Sequence, residues 1–166
     1  MNAVRKILVP VDFSEDSASN LKYAVSLAQE TQAELIVLHV TQKKEAASFL
    51  DLLAVMEGSP MLNPPPAIPV DRLLREKALD LYHFIKNAVR NPGRLKITRK
   101  VALGNKAETI LQVSKDEGID LVVLAVQKKS LFAFLMARGK LVKMISRFPC
   151  PVLLKPASNG PWPLLA

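Results

Sequence analysis

Lys128, Lys129, Arg138 and Lys140 follow an apolar run, IDLVVLAV (119–126), and with Lys143 and Arg147 they place six cations and no acid between Gln127 and Arg147. Cations in a loop behind a buried strand can grip phosphate by charge. The same residues can equally form a solvated basic face, which is what most charge runs are. Asp12 ends a second apolar run, KILVPV (6–11). There a carboxylate can accept hydrogen bonds from ligand hydroxyls, or from the opening turn of a following helix. Leu131, Phe132, Phe134, Leu135 and Met136 sit beside the cations, suited to burial over a sheet edge, a subunit contact or a membrane surface. His39 and His83 have no Cys or carboxylate at metal-ligand spacing, so both read as structural. Cys150, between Pro149 and Pro151, reads as a small apolar residue. No G-x-S-x-G elbow and no Ser-His-Asp or Cys-His arrangement occurs, so no enzymatic activity is expected.

The elements that must position these residues alternate along the chain. KILVPV is a strand, and Ser14 is placed to cap a helix whose Ala18, Leu21, Ala24, Val25 and Ala28 form one apolar stripe. ELIVLHV (34–40) is a second buried strand, giving a right-handed parallel unit. Residues 41–69 are an irregular excursion with five prolines in SPMLNPPPAIP. A helix over Val70–Arg90 follows, with a stripe of Leu74, Ala78, Leu81, Ile85 and Val89, stopped by Asn91-Pro92-Gly93. LKITRKVAL (95–103) is a strand, Gly104-Asn105 turns into a helix over Lys106–Glu117, and Gly118 caps its end. The run 119–126, a helix in the second half of 127–148, and a closing strand in FPCPVLLKP (148–156) complete the pattern. The expected fold is α/β: a three-layer, open, parallel five-stranded sheet with helices on both faces, Rossmann-like. One domain spans residues 1–156, and 157–166 are expected to be a disordered tail.

A chain of 166 residues that is 49% hydrophobic suffices for one domain with a sizeable core. No apolar run approaches the roughly 20 residues that span a bilayer. The amino terminus runs straight into a strand without a signal-peptide pattern, and the single cysteine rules out an internal disulfide. A cytoplasmic protein is expected. The net charge of +8 is uneven, with 10 cations and 11 acids in residues 1–93 but 13 and 4 in residues 94–155. Such asymmetry allows a basic module for nucleic acid or a membrane surface. Interleaved stacking aromatics and a helix-turn-helix are absent, so nucleic acid is not the expected partner.

KILVPVDFSEDS, ELIVLHV, VALGNKAETILQVSKDEGIDLVVL and FPCPVLLK together resemble the universal stress protein family, in the right order over about residues 4–156. The resemblance implies a nucleotide-binding-type fold of the adenine nucleotide alpha hydrolase kind. In binding members a motif G-x2-G-x9-G-S/T follows the fourth strand. Aligned without gaps, its glycines fall on Ala125, Lys128 and Arg138 and its hydroxyl residue on Gly139. Such glycines let main-chain amides approach phosphate closely, and long side chains at two of the positions obstruct that approach. The resemblance makes Pro10, Asp12 and Val40 the adenine and ribose wall, with Ala125, Lys128, Arg138 and Gly139 at the phosphate end.

Two readings follow. One is a dimeric stress-response protein that holds no cofactor strongly and acts by association, including with a protein partner. The other is a member that binds ATP or AMP through a modified grip by Lys128 and Arg138. The resemblance also implies a homodimer through the closing strand Pro151–Lys155, whose edge carries few charges.

Overall fold

The computed structural model describes residues 3–42, 69–126 and 140–156. Five strands, β1 (Lys6–Val11), β2 (Glu34–Thr41), β3 (Ile97–Leu103), β4 (Leu121–Val126) and β5 (Val152–Pro156), alternate with helices α1 (Glu15–Thr31), α2 (Val70–Ala88), α3 (Lys106–Asp116) and α4 (Lys140–Ile145). All pairings are parallel, in the order β3-β2-β1-β4-β5. This is the expected parallel five-stranded sheet. The excursion between β2 and α2, the cationic loop after β4 and the tail lie outside the described residues.

Strand parity divides the core into two layers. Ile7, Val9, Leu35, Val37 and Val123 meet Leu21, Ala24, Val25 and Ala28 of α1 and Leu81 and Ile85 of α2. Leu8, Ile36, Leu38, Val40, Val122 and Leu124 point to the other face, against Ile110 of α3 and Met144 of α4. Period-2 alternation buries both faces, which is why these strands read as unbroken apolar runs. Each fully buried Val, Leu or Ile contributes about 1.5–3 kcal/mol. The chain winds outward from β1 to β3 with its helices on one face, then returns past β1 to β4 with its helices on the other. Between β1 and β4 lies the switch point. These two strands pair at Ile7 with Leu121 and Leu8 with Val122 and then part. The carbonyl of Val123, beyond the pairing, instead accepts from Nδ2 of the buried Asn20 at 3.2 Å.

Local rules set most ends. Ser14 caps α1 by accepting from the Ser17 amide, and Asn105 caps α3 by accepting from Glu108. At the end of α3 the amide of Gly118 donates to Lys115 O and that of Ile119 to Ser114 O. This is a Schellman closure, with Gly118 at φ +61°. Beyond one-residue differences at the ends of β2 and α3, the expected boundaries shift by two residues in three places. β3 starts at Ile97, because the Leu95 amide closes a turn on Pro92 O. β4 starts at Leu121, because Ile119 belongs to that closure. α2 ends at Ala88, with Val89 already extended.

The stripe expected on α2 differs too. Leu73, Leu81 and Ile85 are buried, Leu74 and Val89 only half so, and Ala78 is exposed. The helix covers the margin of the sheet, so its outer flank overhangs β3 and, among the described residues, has no further strand to meet.

Candidate functional site

The carboxyl ends of β1, β2 and β3 carry the polar groups. Asp12 leaves β1 and at once closes a ring with α1. Its Oδ1 accepts from the Ser14 amide (3.1 Å), the Ser14 hydroxyl (2.6 Å) and the Ser17 hydroxyl (2.6 Å), while its own amide donates to Ser17 Oγ (3.0 Å). Burial pushes the Asp12 carboxyl up. The bonds from Ser14 and Ser17, with the charge of Lys106 at the start of α3, outweigh it and hold the group below the ordinary carboxylate value. Asp12 is therefore an anion that helps fasten the first turn of α1, the helix-cap alternative for this residue. Among the described residues nothing donates to its Oδ2, and the residue is exposed, so acceptor capacity remains.

Phe13 adopts φ +65°, which costs a non-glycine residue about 1–2 kcal/mol. The turn swings its ring onto His39, stacked at 4.1 Å, with Phe84 edge-on at 5.5 Å; aromatic pairs contribute about 0.5–1.5 kcal/mol each and offset that cost. His39 is buried, with Nδ1 3.0 Å from Val11 O. Beside β2, Gly104 donates its amide to Thr41 O at 2.9 Å. A Cβ on Gly104 would meet Thr109 Oγ1 at 2.7 Å, so glycine lets the β3–α3 turn close.

Register places the expected wall residues as follows. Pro10 pairs with Leu38 and is half-buried. Val40 lies one residue beyond the Val11–His39 pair, but its side chain is only 3% exposed and packs on the α3 face. Only its main chain can front a ligand. Ala125 stands inside the β4 ladder opposite Lys155. Lys128, Arg138 and Gly139, with Lys129 and the apolar cluster 131–136, lie outside the described residues. Sequence reasoning did not single out Asn20, Ser17 or Lys106. The signal for Ser17 was available, since a hydroxyl five residues after a strand-end Asp can reach back across the cap. Nothing local marks Asn20, whose role depends on β4.

Elsewhere the chemistry is quieter. Burial first, then the charge of Asp120, push the Cys150 thiol up, away from the thiolate a nucleophile needs. His83 is exposed on α2, edge-on to Tyr82. Among the described residues no group of three His, Cys, Asp or Glu could hold a metal ion, and no helix is long and apolar enough to cross a membrane.

Comparison with known proteins places this geometry. The model of the Universal stress protein family matches residues 3–156. Universal stress protein MJ0577 of Methanocaldococcus jannaschii is 26% identical over 159 residues, covering 94% of this chain and 97% of that protein. A solved structure of MJ0577 superposes with a TM-score of 0.63 at 23% identity, covering 96% of this chain and 100% of the other. A universal stress protein in complex with cAMP gives 0.58 at 17% identity, covering 95% and 100%. One from Archaeoglobus fulgidus in complex with dAMP gives 0.56 at 13%, covering 92% and 98%. At these identities the structural likenesses establish the fold.

Proposed function

This chain belongs to the universal stress protein family, and from that premise we propose that it is a stress-response protein acting by association rather than by strong ATP binding or catalysis. In this reading it is a cytoplasmic homodimer, paired through β5, that engages a protein partner and carries no resident cofactor. The observation that carries the reading is the replacement of the three motif glycines by Ala125, Lys128 and Arg138. The first of these positions lies within a strand ladder, opposite Lys155. Each amide-to-phosphate bond of a cradle, being charge-assisted, is worth about 1.5–3 kcal/mol. A solvated cation offered in exchange returns about 0–1 kcal/mol, so several lost bonds outweigh two gained charges.

A second reading keeps nucleotide binding, with Lys128 and Arg138 gripping the phosphates of ATP or AMP. It is supported by the Oδ2 of Asp12, to which nothing among the described residues donates, the nearby charge of Lys106, and the nucleotides bound by the two similar proteins above. Titration of fluorescently labelled ATP at physiological salt separates the two. The first reading expects no saturable binding, and no change in the Lys128→Ala, Arg138→Ala double variant. Saturable binding that this double variant abolishes would establish the second.

A further inference from the structure

A groove runs beneath the outer flank of α2 along the free margin of β3. Leu74, Ala78 and Tyr82 form its helical wall, Arg99 and Val101 its strand side, enclosing about 830 Å³. Past Tyr82 it continues to Ile97. Leu79 and Tyr82 at its lip are 61% and 42% exposed. Among the described residues every charged one lining it is a cation: Arg75, Lys86, Arg90 and Arg99. The Arg99 guanidinium lies 5.1 Å from the centre of the Tyr82 ring and the Lys86 ammonium 6.0 Å.

The backbone of β3 supplies the other half of a recognition surface. Lys96 O accepts from the Leu35 amide and the Gly104 amide donates to Thr41 O. Even-numbered residues of β3 therefore face β2, and Ile97, Arg99 and Val101 direct N–H and C=O away from the sheet. Among the described residues nothing pairs with them. Their side chains stand on the α2 face, Ile97 and Val101 against the core and Arg99 under Tyr82.

We propose that this groove docks an extended acidic segment of a partner protein, which adds to β3 as a sixth strand. Its apolar side chains would rest on Leu74, Ala78 and Tyr82 and its carboxylates among the four cations. Charge complementarity selects this occupant. A second copy pairing margin to margin would set Arg99 and its neighbours against their own images, and like charges opposed across strands destabilise. Single-stranded nucleic acid could use the cations and Tyr82 but has no ladder of alternating N–H and C=O to match. The inference specifies the partner class of the association reading and rests on it.

The probe is a fluorescein-labelled octapeptide, Val-Thr-Glu-Thr-Val-Thr-Glu-Thr, whose valines and glutamates share the one face turned toward α2, followed by anisotropy and by amide exchange. Saturable binding is expected, with slowed exchange at the Ile97, Arg99 and Val101 amides. Arg99→Glu should weaken binding at least about tenfold. The same peptide N-methylated at alternate nitrogens should not bind, an arm that leaves the protein untouched should the variant not fold. No binding, equal binding of the N-methylated or a lysine–valine peptide, binding without amide protection, or displacement by oligothymidylate overturns the proposal. So does a protein dimer that Arg99→Glu dissolves. Sedimentation of the same sample separates the two levels: no peptide binding by an intact β5 dimer removes the groove alone, whereas a monomer that binds nothing removes the association reading with it.

Discussion

At one margin of the sheet, β3 holds Arg99 beneath Tyr82 among Arg75, Lys86 and Arg90. At the other, β5 turns its single cation inward, with Lys155 Nζ donating to Ser19 Oγ of α1 at 3.1 Å. Pro151 O accepts from the Val122 amide, so Val152 and Leu154 face outward, and Pro156 ends the row with no N–H to offer. An unprotected margin invites another strand. The β5 margin is short, apolar and free of repelling charge, which suits a copy of itself; the β3 margin is long and cationic, which suits a strand of opposite charge. Edge chemistry, rather than edge exposure, selects the partner.

The largest effect expected from breaking this contrast is on assembly. Leu154→Pro removes an outward amide without touching the pairing with β4. It should raise the concentration for half-dimerisation at least about tenfold by sedimentation, since two symmetry-related bonds of about 1 kcal/mol each are lost. Arg99→Glu should leave that midpoint where it is. A dimer indifferent to Leu154→Pro would show that β5 is not its interface.

Next in size is an effect of acid, which should separate the margins. β3 is held by two carboxylates. Glu34 is kept below the ordinary value first by the Thr98 hydroxyl, then by Lys96, against a smaller opposing effect of burial. Glu117 is kept low by its close pairing with Lys100. Groups whose folded values are depressed stabilise above the unfolded value, here 4.5, and that contribution is lost as pH falls below it. Protection factors of the paired β3 amides should therefore decline between pH 5 and 3 (about the carboxylate range) before those of β5. The exposed Glu108–Arg147 pair, in the turn leading to β5, is screened by water and worth little. Glu34→Gln with Glu117→Gln should flatten the acid step. If it persists unchanged, other groups hold the margin.

The smallest change is expected from Lys155→Met, which removes the bond to Ser19. Chemical denaturation should register about 1 kcal/mol or less, while the dimerisation midpoint stays where it is, because the ammonium is turned onto α1 and away from the outward margin.

What could be read from residues alone follows from how far each cause reaches. The apolar runs of β1, β2 and β4, the Ser14 cap and the Gly118 closure rest on neighbours within about six positions, and they appear where the spacing puts them, save that the closure takes the first two residues of the β4 run. The strand order was not legible, because nothing in β4 states that it pairs with β1. The flank of α2 followed the same limit: Ala78 fits a helical stripe, yet only the end of the sheet at β3 decides that it faces outward. In the candidate site, Asp12 was legible as a strand-end carboxylate, whereas Asn20 resembles any polar residue on a helix until Val123 arrives beneath it.

That amide has a mechanical consequence. β1 and β4 share the Ile7–Leu121 and Leu8–Val122 pairs before separating, whereas β2 and β3 stay zipped from Leu35–Ile97 to Thr41–Leu103. Stretched across its width, the molecule would tear first along the seam that Asn20 stitches, releasing two rafts of three and two strands.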